Sequence, residues 1–223
     1  MSRSQQGLDG AGEWHQLKKL FPDVSGMNVL DIGCGYGWHC KYAAESGAKS
    51  VLGIDQSERM IAEAMQRNPD KKITYRMCSL QDFDYPETAF DLVVTNLMLH
   101  YVDELDTVYR NVYSTLRPGG VFLINMEHPT FTAGVNQQFA ADSTWPVNNY
   151  YYPGERQTDF LGYSITKYHH TLTQILMGLI KAGFHLDAVE EAMPPEAWRA
   201  AMPDEMRRPM MLLVRAIKED WNR

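Results

Sequence analysis

The residues best suited to chemistry stand in two short runs. Val29-Leu30-Asp31-Ile32-Gly33-Cys34-Gly35-Tyr36-Gly37 is an apolar stretch that carries one acid and breaks into three alternating glycines. Val51-Leu52-Gly53-Ile54-Asp55 is a second apolar stretch closed by an acid. Each apolar, β-branched run reads as a buried strand, the first of them entering a tight turn. Glycine tolerates unusual backbone dihedrals and lets a ligand approach the main chain. A helix after such a turn offers its N-terminus, and a carboxylate closing the second strand stands where a ribose diol would bind. The two runs together read as a nucleoside-binding βαβ unit.

The type of nucleoside follows from what departs from the dinucleotide fingerprint. That fingerprint is G-x-G-x-x-G/A, whereas the position after Gly33, Gly35 and Gly37 is Trp38. Its bulk suits a pyrophosphate turn poorly, and Asp31 would repel a diphosphate. Asp31 would instead favour a ligand that carries an ammonium and a sulfonium. The stretch resembles motif I of the class I S-adenosylmethionine (SAM)-dependent methyltransferases, and Asp55 resembles the ribose-binding acid of their next motif. Asn96 matches the position whose backbone carbonyl receives the SAM ammonium. Leu116-Arg117-Pro118-Gly119-Gly120 matches the turn before strand five. Ser79-Leu80 matches the pair that contacts adenine. Ser79 departs from the usual aspartate, although its hydroxyl can accept from the adenine amine and Asp82 is nearby.

This resemblance spans roughly residues 25–126. It implies cofactor contacts from Asp31, Gly33, Cys34, Gly35, Asp55, Gln56, Met60, Ser79, Leu80 and Asn96, with S-adenosylhomocysteine (SAH) as product. A narrower resemblance, to a bacterial branch of small-molecule methyltransferases, is carried by Gly10-Ala11-Gly12-Glu13-Trp14, Glu127-His128-Pro129 and Lys167-Tyr168-His169-His170-Thr171. Similarity to ubiquinone/menaquinone methyltransferases is confined to the cofactor half.

The elements that must position these residues alternate along the chain. A helix over Tyr36–Glu45, a helix capped by Ser57, a strand over Ile73–Arg76, a strand over Phe90–Thr95, a helix over Glu104–Leu116 and a strand over Val121–Ile124 are expected in turn. Beyond them, Thr171 with Gln174 forms a capping box for a helix through Lys181, and strands follow at Phe184–Glu191 and Met210–Ile217. The expected fold is α/β: a Rossmann-like doubly wound seven-stranded sheet, mostly parallel, with an antiparallel last strand. Residues 1–223 are read as a single domain. Residues 127–170 are read as an aromatic-rich substrate lid inserted after strand five and containing a hairpin.

Composition bounds the partners. The 223 residues carry a formal net charge of −7 and are 44% hydrophobic, enough for a real core. That charge disfavours nucleic acid and anionic membrane, which call for a basic stripe. The segment Asn96-Leu97-Met98-Leu99 also differs from the N-P-P-Y type that holds a flipped base. Three cysteines without a C-x-x-C pair fit a reduced, cytoplasmic setting. The polar start MSRSQQGLDG lacks an apolar signal core, and no run is long enough to span a bilayer. The expected state is a monomer or homodimer.

Methyl transfer from SAM needs alignment and exclusion of water more than it needs functional groups. A base helps where the acceptor starts protonated, and histidine suits neutral pH. His128, just after strand five, and His169, at the end of the insertion, are the catalytic candidates. A loop histidine also caps backbone groups, and spacing leaves that reading open. Tyr150, Tyr168 and Arg156 are candidates for substrate contact, through ring, hydroxyl or a bidentate guanidinium. No metal site is expected, because adjacent histidines rarely converge on one centre. The function expected from the resemblance is methyl transfer to oxygen or nitrogen, before carbon, of a small molecule. A non-catalytic SAM-binding regulator and a nicotinamide-dependent oxidoreductase are the alternatives.

Overall fold

The computed structural model describes residues 7–134, 137–160 and 162–219. The polar start at residues 1–6, and residues 135, 136 and 161 of the insertion, lie outside the described residues.

A short helix α1 (Trp14–Leu20) precedes the alternating core: β1 (Asn28–Ile32), α2 (Trp38–Glu45), β2 (Ser50–Asp55), α3 (Glu58–Arg67), β3 (Ile73–Met77), β4 (Phe90–Asn96), α4 (Leu105–Thr115) and β5 (Leu116–Glu127). The insertion carries α5 (Pro129–Thr132) and the strands β6 (Gly154–Phe160) and β7 (Tyr163–His169). Then come α6 (Leu172–Ala182), β8 (Phe184–Ala192) and β9 (Met211–Lys218).

Seven strands form one sheet in the order β3-β2-β1-β4-β5-β9-β8. Strands β1 to β5 run parallel, and β9 runs antiparallel to both of its neighbours. Strands β6 and β7 pair separately as an antiparallel hairpin. The order reverses between β1 and β4, so a crevice opens beyond their carboxyl ends.

Strand alternation divides the core between the two faces of the sheet. Leu30, Val93, Phe122 and Ile124 pack on one side with Tyr109, Val112 and Leu179 of the covering helices. Val29, Leu92, Val94 and Leu123 pack on the other with Leu17, Cys40 and Ala43. A sheet buried on both faces explains the near-continuous apolar runs of β1 and β4.

Two expected boundaries shift for identifiable reasons. Helix α2 starts at Trp38 rather than Tyr36, because Gly33, Gly35 and Gly37 adopt φ of +73°, +52° and +76° and the turn continues through all three. Strand β5 extends well beyond Val121–Ile124 at both ends, with an irregular register between Phe90 and Leu92. The caps form as expected: Ser57 Oγ accepts from Met60 N at 3.3 Å, and Thr171 and Gln174 close a reciprocal box.

Candidate active site

A cavity of about 780 Å³ opens at the carboxyl ends of β1, β2 and β4. The glycine turn forms its floor through Gly33, Cys34, Gly35 and Tyr36. One wall is Asp55, Gln56, Ser57 and Met60, and beside it stand Cys78, Leu80 and Gln81 beyond β3. Asn96, Leu97, Met98 and Tyr101 form the opposite wall. The N-terminal segment covers the cavity with Leu8, Ala11, Glu13, Trp14 and Leu17.

The floor is held by its own hydrogen bonds. Gly33 N and Cys34 N both donate to Ile54 O, at 2.8 and 2.9 Å, which ties the turn to β2. Asp55 joins turn and helix: Oδ2 accepts from Gly35 N at 3.0 Å and Oδ1 from Ser57 N at 2.9 Å. A Cβ on Gly33 would lie 2.6 Å from Met98 Cγ, so the turn is packed from one side. A Cβ on Gly35 would meet no atom of the described residues within 4 Å, so the backbone there is open to a ligand. An anionic group at β2's end beside an open glycine turn fits an adenosyl ligand bound through its ribose hydroxyls.

Eight of the ten residues expected to contact cofactor thus share one cavity: Gly33, Cys34, Gly35, Asp55, Gln56, Met60, Leu80 and Asn96. Asp31 and Ser79 do not line it. Asp31 is 1% exposed beneath the turn, and its Oδ2 accepts from Cys40 Sγ at 3.2 Å while Oδ1 has no hydrogen-bond partner among the described residues. Burial raises its carboxyl to about 7 against the lowering effect of Cys40, and the nearby Asp55 charge adds to the rise. Ser79 closes a local turn, donating to Asp82 Oδ2 at 2.6 Å and accepting from Asp82 N.

The residues nominated for catalysis and substrate contact lie outside the cavity wall. His128 Nδ1 accepts from Thr130 N at 3.1 Å and caps α5, while its Nε2 faces Glu191 Oε1 at 2.9 Å. Burial lowers its pKa, against the raising effect of Glu191. His169 Nε2 donates to Tyr150 O at 2.9 Å, and its Nδ1 lies 2.8 Å from Thr132 Oγ1. Burial lowers its pKa also. His169 thus has both ring nitrogens in hydrogen bonds, whereas His128 uses Nδ1 for the cap and sets Nε2 against the Glu191 carboxylate. Arg156 is 8% exposed and donates to backbone carbonyls, among them Ala133 O, Glu155 O and Tyr152 O at 3.1, 3.0 and 2.8 Å. Tyr150 Oη accepts from Leu172 N at 3.1 Å, and Tyr168 is half-buried on β7. These side chains tie the insertion to itself and to its neighbours.

Sequence reasoning did not single out Glu13, His39 or Tyr101 individually, yet all three line the cavity. Burial lowers His39 to about 4, so its ring is neutral. Among the described residues no group of His, Cys, Asp and Glu is arranged to hold a metal, and no helix is long and apolar enough to cross a membrane.

The geometry has counterparts. Residues 30–124 match the family described as "Methyltransferase domain". The crystal structure of an S-adenosylmethionine-dependent methyltransferase from Mesorhizobium loti is 41% identical with a TM-score of 0.88, covering 95% of this chain and 100% of that one. A Listeria monocytogenes structure assigned to the same class is 43% identical, also with a TM-score of 0.88 over 95% and 100% of the two chains. Among functionally named relatives, the N-demethylindolmycin N-methyltransferase of Streptomyces griseus is 28% identical over 84% of this chain and 79% of its own length.

Proposed function

The chain belongs to the S-adenosylmethionine-dependent methyltransferases, and from that membership we propose that it methylates oxygen or nitrogen of a small, neutral or cationic acceptor. One observation carries the acceptor class. Among the described residues, the charged groups lining the cavity are Glu13 and Asp55, with no Lys or Arg. An anionic acceptor would enter that wall without a counter-charge, whereas an amine or a neutral hydroxyl would not be repelled. The net charge of −7 adds to the argument against a nucleic acid acceptor.

When bound, SAM supplies a methyl group on a positively charged sulfur. The protein's part is alignment and shelter. Asp55 takes the ribose hydroxyls while holding Gly35 and Ser57 in place, and the open face of Gly35 admits the ligand to the main chain. Trp14, Tyr36, Trp38 and Tyr101 give the cavity aromatic walls suited to a sulfonium. Residues 127–170 serve as a lid within one domain, and Lys167, His128 and His169 pin that lid rather than move a proton.

The experiment is a panel of small amines, hydroxyl compounds and their phosphorylated counterparts incubated with enzyme and SAM, with SAH release as the readout. Turnover is expected for uncharged or cationic acceptors. A preference for anionic acceptors would overturn the charge argument, and SAH binding without any methylated product would favour a regulator.

A further inference from the structure

Two thiols meet beneath the floor of the cavity. Cys34 lies in the glycine turn and lines the cavity, with 7% of its surface exposed. Cys40, in the first turn of α2, is fully buried. A Cβ on Gly53 of β2 would lie 2.8 Å from Cys40 Sγ and 3.0 Å from Cys34 Sγ. Both sulfurs therefore share the space that the missing side chain leaves. Burial pushes the Cys40 thiol up, and a hydrogen bond with Cys34 adds to the rise. Cys40 Sγ in turn donates to Asp31 Oδ2 at 3.2 Å. A chain of contacts thus runs from the cavity through Cys34 and Cys40 to a buried carboxyl.

Neither the Cys40 thiol nor its contact with Asp31 has a part in the methyl transfer described above. A thiol on a cavity wall can be reached by a small oxidant, and a second thiol beside it can then close a disulfide. Glycines flank Cys34 on both sides, so no neighbouring side chain opposes a small shift of the turn. Cys78 lines the same cavity, with its thiol donating to Ser79 O at 3.4 Å, and serves as the internal comparison.

We propose that Cys34 and Cys40 are a peroxide-sensitive thiol pair, oxidised to a disulfide when the cavity is empty and shielded when cofactor fills it. The pair stands on the thiol geometry, and the shielding rests on the SAM-binding reading above. The Cys34 thiolate attacks hydrogen peroxide: an S–O bond forms, the O–O bond breaks, and the departing hydroxide takes up the proton Cys34 released, giving water. Cys40 then passes its proton to Asp31 and attacks the Cys34 sulfur: the S–S bond forms, the S–O bond breaks, and the second hydroxide takes that proton to give a second water. The two thiols lose two electrons and the peroxide gains them.

The test treats the full chain with hydrogen peroxide, with and without SAH, then alkylates the remaining thiols and maps tryptic peptides by mass spectrometry without reduction. Residues 20–41 form one tryptic peptide, which holds both thiols and excludes Cys78. In wild type this peptide should escape alkylation and lose two hydrogen atoms, and a thiol reductant should reverse the change. SAH at about a hundred times its Kd should slow the loss at least about tenfold, because few cavities are then empty. Cys40→Ser should stop at one added oxygen on Cys34, trapped by dimedone, and Cys34→Ser should leave Cys40 reduced. The wild-type peptide decides the matter even where a variant fails to fold. A peptide that still takes two alkyl groups after Cys78 has been oxidised would overturn the pair, and a disulfide formed equally fast in SAH-saturated protein would overturn the shielding. A disulfide in protein that calorimetry shows not to bind SAH would remove the cofactor reading and leave the thiol pair standing.

Discussion

Lys167 Nζ lies 2.6 Å from Glu127 Oε1, and both side chains are buried. The pair joins the hairpin of the insertion to the end of β5, with His100 Nε2 3.8 Å from the same carboxylate oxygen and Gln137 Oε1 accepting from Lys167 at 3.4 Å. Breaking a buried ion pair by removing one member costs about 3–5 kcal/mol. Lys167→Met should therefore lower the unfolding free energy by roughly that amount in urea denaturation. A double replacement, Glu127→Gln with Lys167→Met, should recover part of the loss. A single variant within about 0.5 kcal/mol of wild type would show that the pair is not integral to the fold.

The cofactor half was legible in sequence because its signals are local. Gly33, Gly35 and Gly37 mark a turn by their own backbone requirements, and Asp55 follows from its place at the end of β2. The insertion was legible only as an interruption of the βα rhythm. His128, His169 and Arg156 have functional residue types, but their partners are Glu191, Thr132 and a set of backbone carbonyls brought together by tertiary folding. Glu13 was missed as a lining residue because nothing local separates it from a solvated acid. Its buried position involves a hydrogen bond from Asn125, which is 112 residues away.

The two faces of the glycine turn should respond differently to a single methyl group. Gly33→Ala forces a side chain at φ +73° and puts its Cβ 2.6 Å from Met98 Cγ, so stability should fall by about 1–3 kcal/mol from overpacking, beyond the backbone strain. Gly35→Ala meets no atom of the described residues within 4 Å, so its stability loss should stay near the ~1–2 kcal/mol of left-handed backbone strain. Its methyl group would occupy ligand space, and SAH affinity should drop by at least about tenfold. Undiminished SAH binding to Gly35→Ala would contradict a close approach of the cofactor there.

Acid should destabilise the fold, and Asp31 should mask part of the effect. Burial lowers His39 to about 4 and burial, aided by Lys167, lowers His100 to about 3. The unfolded chain protonates both near 6.5, so below that pH it binds two more protons than the native state. Asp31 acts oppositely, keeping a proton up to about 7 in the fold but releasing it near 3.8 when unfolded. Between about pH 4 and 6.5 these three groups leave 2 − 1 = 1 proton in favour of the unfolded state, so stability should rise with pH by up to ~1.4 kcal/mol per unit. Asp31→Asn removes the opposing proton and should steepen the contribution toward ~2.7 kcal/mol per unit. Urea titrations from pH 5 to 8 would read it out, and parallel pH dependences for the two proteins would refute the assignment.

The insertion should also depend on one arginine from outside it. Arg208 places its guanidinium 4.0 Å from the ring centroid of Trp145, 4.9 Å from Phe131 and 5.2 Å from Phe139. Among the described residues its Nε and Nη1 have no hydrogen-bond partner, and the aromatic faces take the place of polar ones. Burial accordingly lowers its pKa, against the raising effect of Asp204 and Glu205. A cation held this way contributes about 0.5–2 kcal/mol, according to how far it is desolvated. Arg208→Met keeps most of the stem but removes the charge, so it should accelerate amide exchange around Phe139 and Trp145 while β1 and β4 stay protected. Arg208→Lys should fall between the two, because an ammonium engages the rings without the planar stacking of a guanidinium. Exchange that rises equally across the sheet would assign Arg208 to global stability, and unchanged exchange near Trp145 would show that the aromatic cluster holds its place without the cation.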